Sequence, residues 1–159
     1  MEKFITETRF VPVDFDPFNG APIDRTIPST EAQREVFIAS LMGDEASCAY
    51  NESVSLELDG ALDRIALEGA IANLIRRHEA LRGTMSSDGT RVIVQDRNDI
   101  RIGSVDLEKL TSDMQHAELD KIAHRDMSMP FDLIKGPVFR IKLIRLSEAK
   151  HILRLTGHH

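Results

Sequence analysis

With 159 residues, of which 42% are hydrophobic and 29% charged, the chain can build one domain around one core, and it carries neither repeats nor low-complexity tracts. A net charge of -6, one tyrosine and no tryptophan argue against a phosphate-binding surface or a base-stacking platform, so nucleic acid is not expected as a partner. The single cysteine, Cys48, excludes an internal disulfide framework; apolar runs interrupted by charge exclude a bilayer span; and Met1 to Phe4 lack a secretory signal, so the expected location is the cytoplasm.

Residues 1–27 place Pro12, Pro17, Gly20 and Pro22 between short apolar pieces, which reads as a linker or N-terminal extension. A helix is predicted from Thr30 to Leu41, with Thr30 as N-cap, Gln33 at the capping-box position and Gly43 just past its end. Val54, Leu56 and Leu58 alternate with polar residues and predict a strand that Gly60 terminates. From Asp63 a second helix is expected, its apolar stripe formed by Leu67, Ala70, Ile71, Leu74, Ile75 and His78. On this pattern His78 reads as a core histidine.

Residues 83–95 predict a hairpin turning at Ser87 to Thr90, and Ile100 to Val105 a further strand. A polar amphipathic helix is expected from Leu107 to Met127, closed by Pro130. His116 and His124 on it lack a matching carboxylate pattern and read as solvated residues rather than metal ligands. Val138 to Leu146 and His151 to His159 predict two antiparallel strands joined at Ser147 to Lys150. The order of elements indicates an α+β fold with a mostly antiparallel sheet and flanking helices.

In the last strand Leu153, Leu155, Gly157 and His159 share one face, while Arg154, Thr156 and His158 share the other. If the leucines mark the buried side, His159 points inward, and Gly157 leaves room for close approach. A terminal His-His pair is also what a purification-tag stub looks like.

Three segments decide between these readings. Thr30-Glu31-Ala32-Gln33-Arg34-Glu35-Val36-Phe37 is similar to the first motif of the condensation domains of non-ribosomal peptide synthetases, Ser-x-Ala-Gln-x-Arg-Leu-Trp, departing from it at Glu35, Val36 and Phe37. Arg77-His78-Glu79-Ala80-Leu81-Arg82 matches that family's second motif, Arg-His-Glu-x-Leu-Arg, at every specified position. Gly157-His158-His159 resembles the opening of its motif His-His-x-x-x-Asp-Gly, and the run from Pro130 to Arg140 resembles the approach to that strand.

The resemblance implies one lobe of a chloramphenicol acetyltransferase-like acyltransferase fold: residues 28–159 as the N-terminal, donor-side lobe, truncated inside the histidine motif, with the C-terminal lobe as a missing partner. The implied reaction is amide formation between a carrier-bound acyl or peptidyl thioester and a carrier-bound amino acid. No metal or bound cofactor is implied, because both substrates ride on phosphopantetheine arms of donor and acceptor carrier-protein domains. His159 is assigned the proton-handling role and His158 a structural one beside Gly157. Arg77, with Arg82 as the alternative, would pair the motif aspartate. The isolated lobe is expected to be inactive.

The stretch Asn51-Glu52-Ser53, after Gly43 to Ser47, looks most like condensation domains downstream of polyketide modules. Heterocyclisation domains are disfavoured because they place aspartate at the histidine pair. Epimerisation-type relatives share the pair and stay open, as does a carrier-docking module without catalysis.

Overall fold

The structure, a computed structural model, describes residues 23–96 and 100–159. Most of the predicted extension, and any docking role for it, lies outside the described residues. Its last part does not behave as a linker: β1 (Ile23–Pro28) is a strand paired antiparallel with β4 (Arg91–Gln95), which also pairs β3 (Gly83–Met85). The apolar residues that form this strand are too few to show period-two alternation between prolines.

The second sheet has the order β2-β7-β6-β5, formed by β2 (Asn51–Asp59), β5 (Ile102–Asp106), β6 (Phe139–Arg145) and β7 (Lys150–His158). The predicted pairing of the two C-terminal strands is present, and β7 also pairs β2 from Asn51–His158 to Asp59–Lys150. Among the described strands only β5 runs parallel to its neighbour. The α+β, mostly antiparallel expectation therefore holds. Among the described residues no helix is long and apolar enough to cross a membrane.

The helices start where local chemistry places them. For α1 (Glu31–Ser40), the Thr30 hydroxyl accepts from the Gln33 amide and the Gln33 side chain accepts from the Thr30 amide, at 3.2 and 2.9 Å. A short α2 (Asp44–Cys48), too brief for periodicity to reveal, follows Gly43 at φ 133°. Asp63 caps α3 (Arg64–Arg77), and Thr111 caps α4 (Ser112–Met127). That later start corrects the prediction for α4, since Leu107 to Leu110 form a turn that buries Leu107 under the helix.

Helices pack on both faces of the larger sheet. On one, Ile71 and Ile75 of α3 pack on Ile141, Leu143 and Leu153; on the other, Ile122 of α4 packs on Ile144 with Leu107. Each such side chain contributes about 1.5–3 kcal/mol of burial. A third cluster, Phe37, Met85, Phe131 and Leu133, fastens α1 and the hairpin to the body. Gly89 holds this corner: at φ +69° a Cβ there would stand 2.6 Å from Phe37 Cδ1. Beside it the Asp88 carboxylate accepts bonds from Ser86 and Thr90, which lower its pKa to about 2.

The second helix corrects another expectation. α3 ends at Arg77, and His78 takes an extended conformation before a single 3-10 turn at Glu79–Arg82. That break takes His78 off the apolar stripe and leaves it exposed. Leu74, also assigned to the stripe, is exposed as well.

Candidate active site

Strand β7 delivers the histidine pair between two neighbours. The His158 amide donates to the Val138 carbonyl at 3.1 Å, and the His159 amide to the Tyr50 carbonyl at 2.8 Å. Gly157 lies opposite Phe139, and a Cβ there would only reach ordinary contact with that ring, 3.5 Å away. Backbone bonds on both sides thus fix where each imidazole leaves the sheet.

The two rings meet different surroundings. His158 is half-buried on the α4 face, 5.8 Å from the Tyr50 ring and edge-on to Phe131 at 6.3 Å. His159 is exposed. The alternation argument put it on the face of Leu153 and Leu155, but it did not foresee that the α3 cluster buries Ile141, Leu143 and Leu153 while Val54 and Leu56 of β2 stay exposed. Nor did it foresee that the opposite face, carrying Ile152 and Thr156, is equally packed.

Burial depresses the His158 pKa below its ordinary value; the Ser47 backbone opposes that shift, and His159 adds to it. A depressed folded-state pKa means that the unfolded chain binds the proton more readily. Stability should therefore be complete above the unfolded value of about 6.5 and fall as pH drops through it toward the folded value. Urea unfolding between about pH 7 and pH 5 checks this. His158→Gln should flatten the pH dependence, and an identical slope in that variant would show that His158 does not contribute.

The histidines stand where two cavities meet. One, of about 340 Å³, is an open groove along the sheet lined by Val54, Leu81, Phe139 and Leu155. The other, of about 350 Å³, runs beneath α1 and the hairpin between Val36, Phe37, Met85, Val92, Leu133 and Val138. The walls of both are apolar apart from a few polar groups, and both reach His158 and His159. Such concave apolar surfaces with a few convergent polar groups are the usual form of a small-molecule site.

The two arginines of the second motif are separated. Arg77, the first choice for pairing an anion, is exposed at the end of α3. Arg82 is half-buried, donates to the Gln95 carbonyl at 2.8 Å, and lines a crevice with Pro137 and Val138. The 3-10 turn carries it toward the strand end, a displacement that continuous helical periodicity would not predict. His116 and His124 are exposed on α4, and among the described residues no three His, Cys, Asp or Glu side chains gather as a metal site.

Sequence reasoning missed the polar frame behind the pair. Asn51, buried and directly opposite His158, donates through Nδ2 to the Met127 and Met129 carbonyls at 2.9 and 3.1 Å. Arg140 donates to the same Met129 carbonyl and to Pro130, while its guanidinium lies 3.6 Å above the Phe131 ring. Farther along the same face, buried Asp126 pairs with both Lys142 and Arg154. The family-like run from Pro130 to Arg140 was the available signal, but it named no contact.

A family model described as the condensation domain matches residues 23–159. Chondramide synthase cmdD of Chondromyces crocatus is 36% identical over 145 residues, covering 90% of this chain and 4% of that protein. Tyrocidine synthase 2 of Brevibacillus parabrevis is 31% identical over 132 residues, covering 83% and 4%. The chain thus spans a small fraction of these curated relatives. Among solved structures, the starter condensation domain of rhizomide synthetase RzmA superposes with a TM-score of 0.74 at 24% identity, over 85% of this chain and 34% of that one. The first condensation domain of the calcium-dependent antibiotic synthetase gives 0.67 at 23%, over 82% and 32%. At such identities the likeness is one of fold.

Proposed function

Because the chain belongs to the condensation-domain family, whose structures have a chloramphenicol acetyltransferase-like fold, we propose that it supplies the donor-side half of an amide-forming site in a non-ribosomal peptide synthetase. The observation that carries this reading is the histidine pair at the junction of two apolar cavities, one ring packed and the other open.

In this reading the substrates are an acyl or peptidyl thioester and an amine, each held on the phosphopantetheine arm of a carrier protein. The amine nitrogen attacks the thioester carbonyl, the carbon–nitrogen bond forms and the carbon–sulfur bond breaks. His159 takes the proton released by the amine and returns it to the departing thiolate, a task suited to an imidazole near neutral pH. His158 and Gly157 shape the strand end. Apolar walls would exclude water that competes for the thioester. Arg82, which lines a crevice with Val138, whose carbonyl accepts from the His158 amide, is the better candidate to hold a neighbouring carboxylate.

The reading includes a second lobe. Val54 and Leu56 of edge strand β2 are 50% and 45% exposed beside the groove, an apolar surface suited to contact with further protein. The 159 residues alone should therefore give no amide product from two loaded carrier proteins. Mass spectrometry of the acceptor arm checks this, and product from the isolated chain would overturn the two-lobe requirement. A complete condensation domain carrying these residues should form the amide; hydrolysis or epimerisation without amide product would overturn the proposed reaction.

A further inference from the structure

The stretch Asn51-Glu52-Ser53 at the start of β2 sends its side chains to both sides of the sheet. Asn51 binds the Met127 and Met129 carbonyls, and Ser53 Oγ lies 2.6 Å from Thr156 Oγ1, so both are engaged on the α4 side. Glu52 projects to the other side, with Val54 and Leu56. It is exposed, and among the described residues its carboxylate has neither an ion pair nor a hydrogen bond.

The ladder fixes what stands around this carboxylate. Glu52 is paired with Gly157, and Gly157 in turn with Phe139 of β6. Directly paired residues project to the same side, so Glu52 and Phe139 rise on either side of a residue without a side chain. The His159 amide bonds to the Tyr50 carbonyl at 2.8 Å, which sets His159 diagonally across the ladder from Glu52. Such positions stand about 7–8 Å apart, within reach of a long side chain. Both residues line the groove of about 340 Å³, where Glu52 is the one carboxylate among mostly apolar walls.

The two cavities that meet at the histidines therefore differ in charge. The one beneath α1 and the hairpin has no carboxylate in its lining. A carboxylate in an apolar groove disfavours a neutral acyl chain, which would desolvate it without compensation. It favours a cation, and more strongly than it would in bulk water. Of the two substrates in the proposed reaction, the amine is the one that carries such a charge: an α-amino group titrates at about 7.7–8.0 and arrives at neutral pH largely as ammonium.

We infer that Glu52 is a positioning residue for the amine substrate, its carboxylate accepting hydrogen bonds from the ammonium of an aminoacyl thioester and holding that nitrogen in the groove beside His159. The inference rests on the amide-forming reading of the site. Glu52 moves no proton and forms no covalent bond; proton transfer stays with His159. A carboxylate that stabilises the ammonium does not assist its deprotonation, so Glu52 acts on binding of the acceptor.

Two small probes test this in the 159-residue chain: leucine ethylamide, a stable stand-in for an aminoacyl thioester, and its uncharged α-hydroxy isostere. Titrations near neutral pH, followed by proton–nitrogen NMR, should perturb the Val54 and Gly157 amides. The amine should bind about three- to tenfold more tightly than the hydroxyl probe, between the effect of an exposed ion pair and that of a desolvated charged hydrogen bond. Glu52→Gln should abolish that preference while leaving the hydroxyl probe's affinity unchanged, and Glu52→Asp should retain part of it. Because Glu52 is exposed, neither variant should disturb the fold.

Equal binding of the two probes by the wild type, a preference that survives in Glu52→Gln, or no perturbation of these amides by the amine overturns the inference. In a complete condensation domain, Glu52→Gln should act on KM for the acceptor rather than on kcat, and a loss confined to kcat would overturn it as well. The titrations involve no turnover. Their failure would leave the amide-forming reading intact, and absence of amide product from the complete domain would leave the amine preference measurable.

Discussion

His159→Ala, placed in a complete condensation domain that includes this chain, should lower the rate of amide formation by about two to four orders of magnitude, the usual contribution of a positioned acid–base group. The fold should be unaffected. His159 is exposed, and its link to the body is the backbone bond from its amide to the Tyr50 carbonyl, which alanine keeps. Single-turnover transfer between loaded carriers is the appropriate measurement, because it separates chemistry from product release. A loss confined to kcat would place the effect in the transition state, whereas a rise in KM alone would reduce His159 to a binding contact. Unchanged single-turnover rates would remove it from the mechanism. His158→Ala should behave differently, costing stability as well as rate, because that ring packs between Tyr50 and Phe131.

Asp126→Ala should destabilise the domain by about 3–5 kcal/mol, the cost of leaving buried charge without its counterion. Its carboxylate is only 3% exposed and answers two cations, Lys142 and Arg154, which are 25% and 12% exposed. Arg154 also donates to Ser55 Oγ at 2.9 Å and to the Ala123 carbonyl at 3.4 Å. One carboxylate therefore ties α4 to β6 and, through Arg154, to β7 and β2. Loss of a large fraction of typical domain stability should appear as a lower urea midpoint with little change in slope. The triple variant Asp126→Leu, Lys142→Met, Arg154→Met should recover much of the loss, since an apolar replacement for a buried ion cluster is often neutral. A single-variant loss below about 1 kcal/mol would show that the cluster acts as a solvated surface pair.

The site was partly legible because its parts are local. Adjacent histidines, a glycine before them and an alternating strand are read from consecutive residues, and the capping box at Thr30 and Gln33 is a four-residue signal that the structure reproduces. The His78 assignment failed for a related reason. Periodicity extends a helix until punctuation stops it, and no glycine or proline marks the extended backbone at His78. The inward reading of His159 failed because alternation specifies a face but not how much of that face a helix covers. The preference for Arg77 did not anticipate that the same break would move Arg82, five residues later, toward the strand end.

The sequence by itself determined most of the longer secondary elements, the α+β class, the antiparallel pairing of the last two strands and the three motifs that mark the condensation family. Those features rest on short-range rules of capping, turn chemistry and side-chain period. Only the tertiary structure decided that β2 flanks the histidines, that α3 and α4 pack on opposite faces of one sheet, and that Asn51, Arg140 and Asp126 stand behind the site. Asn51 lies more than seventy residues from the carbonyls it binds and from Arg140. Contacts at that separation are set by which faces pack together, and no local pattern in the chain encodes them.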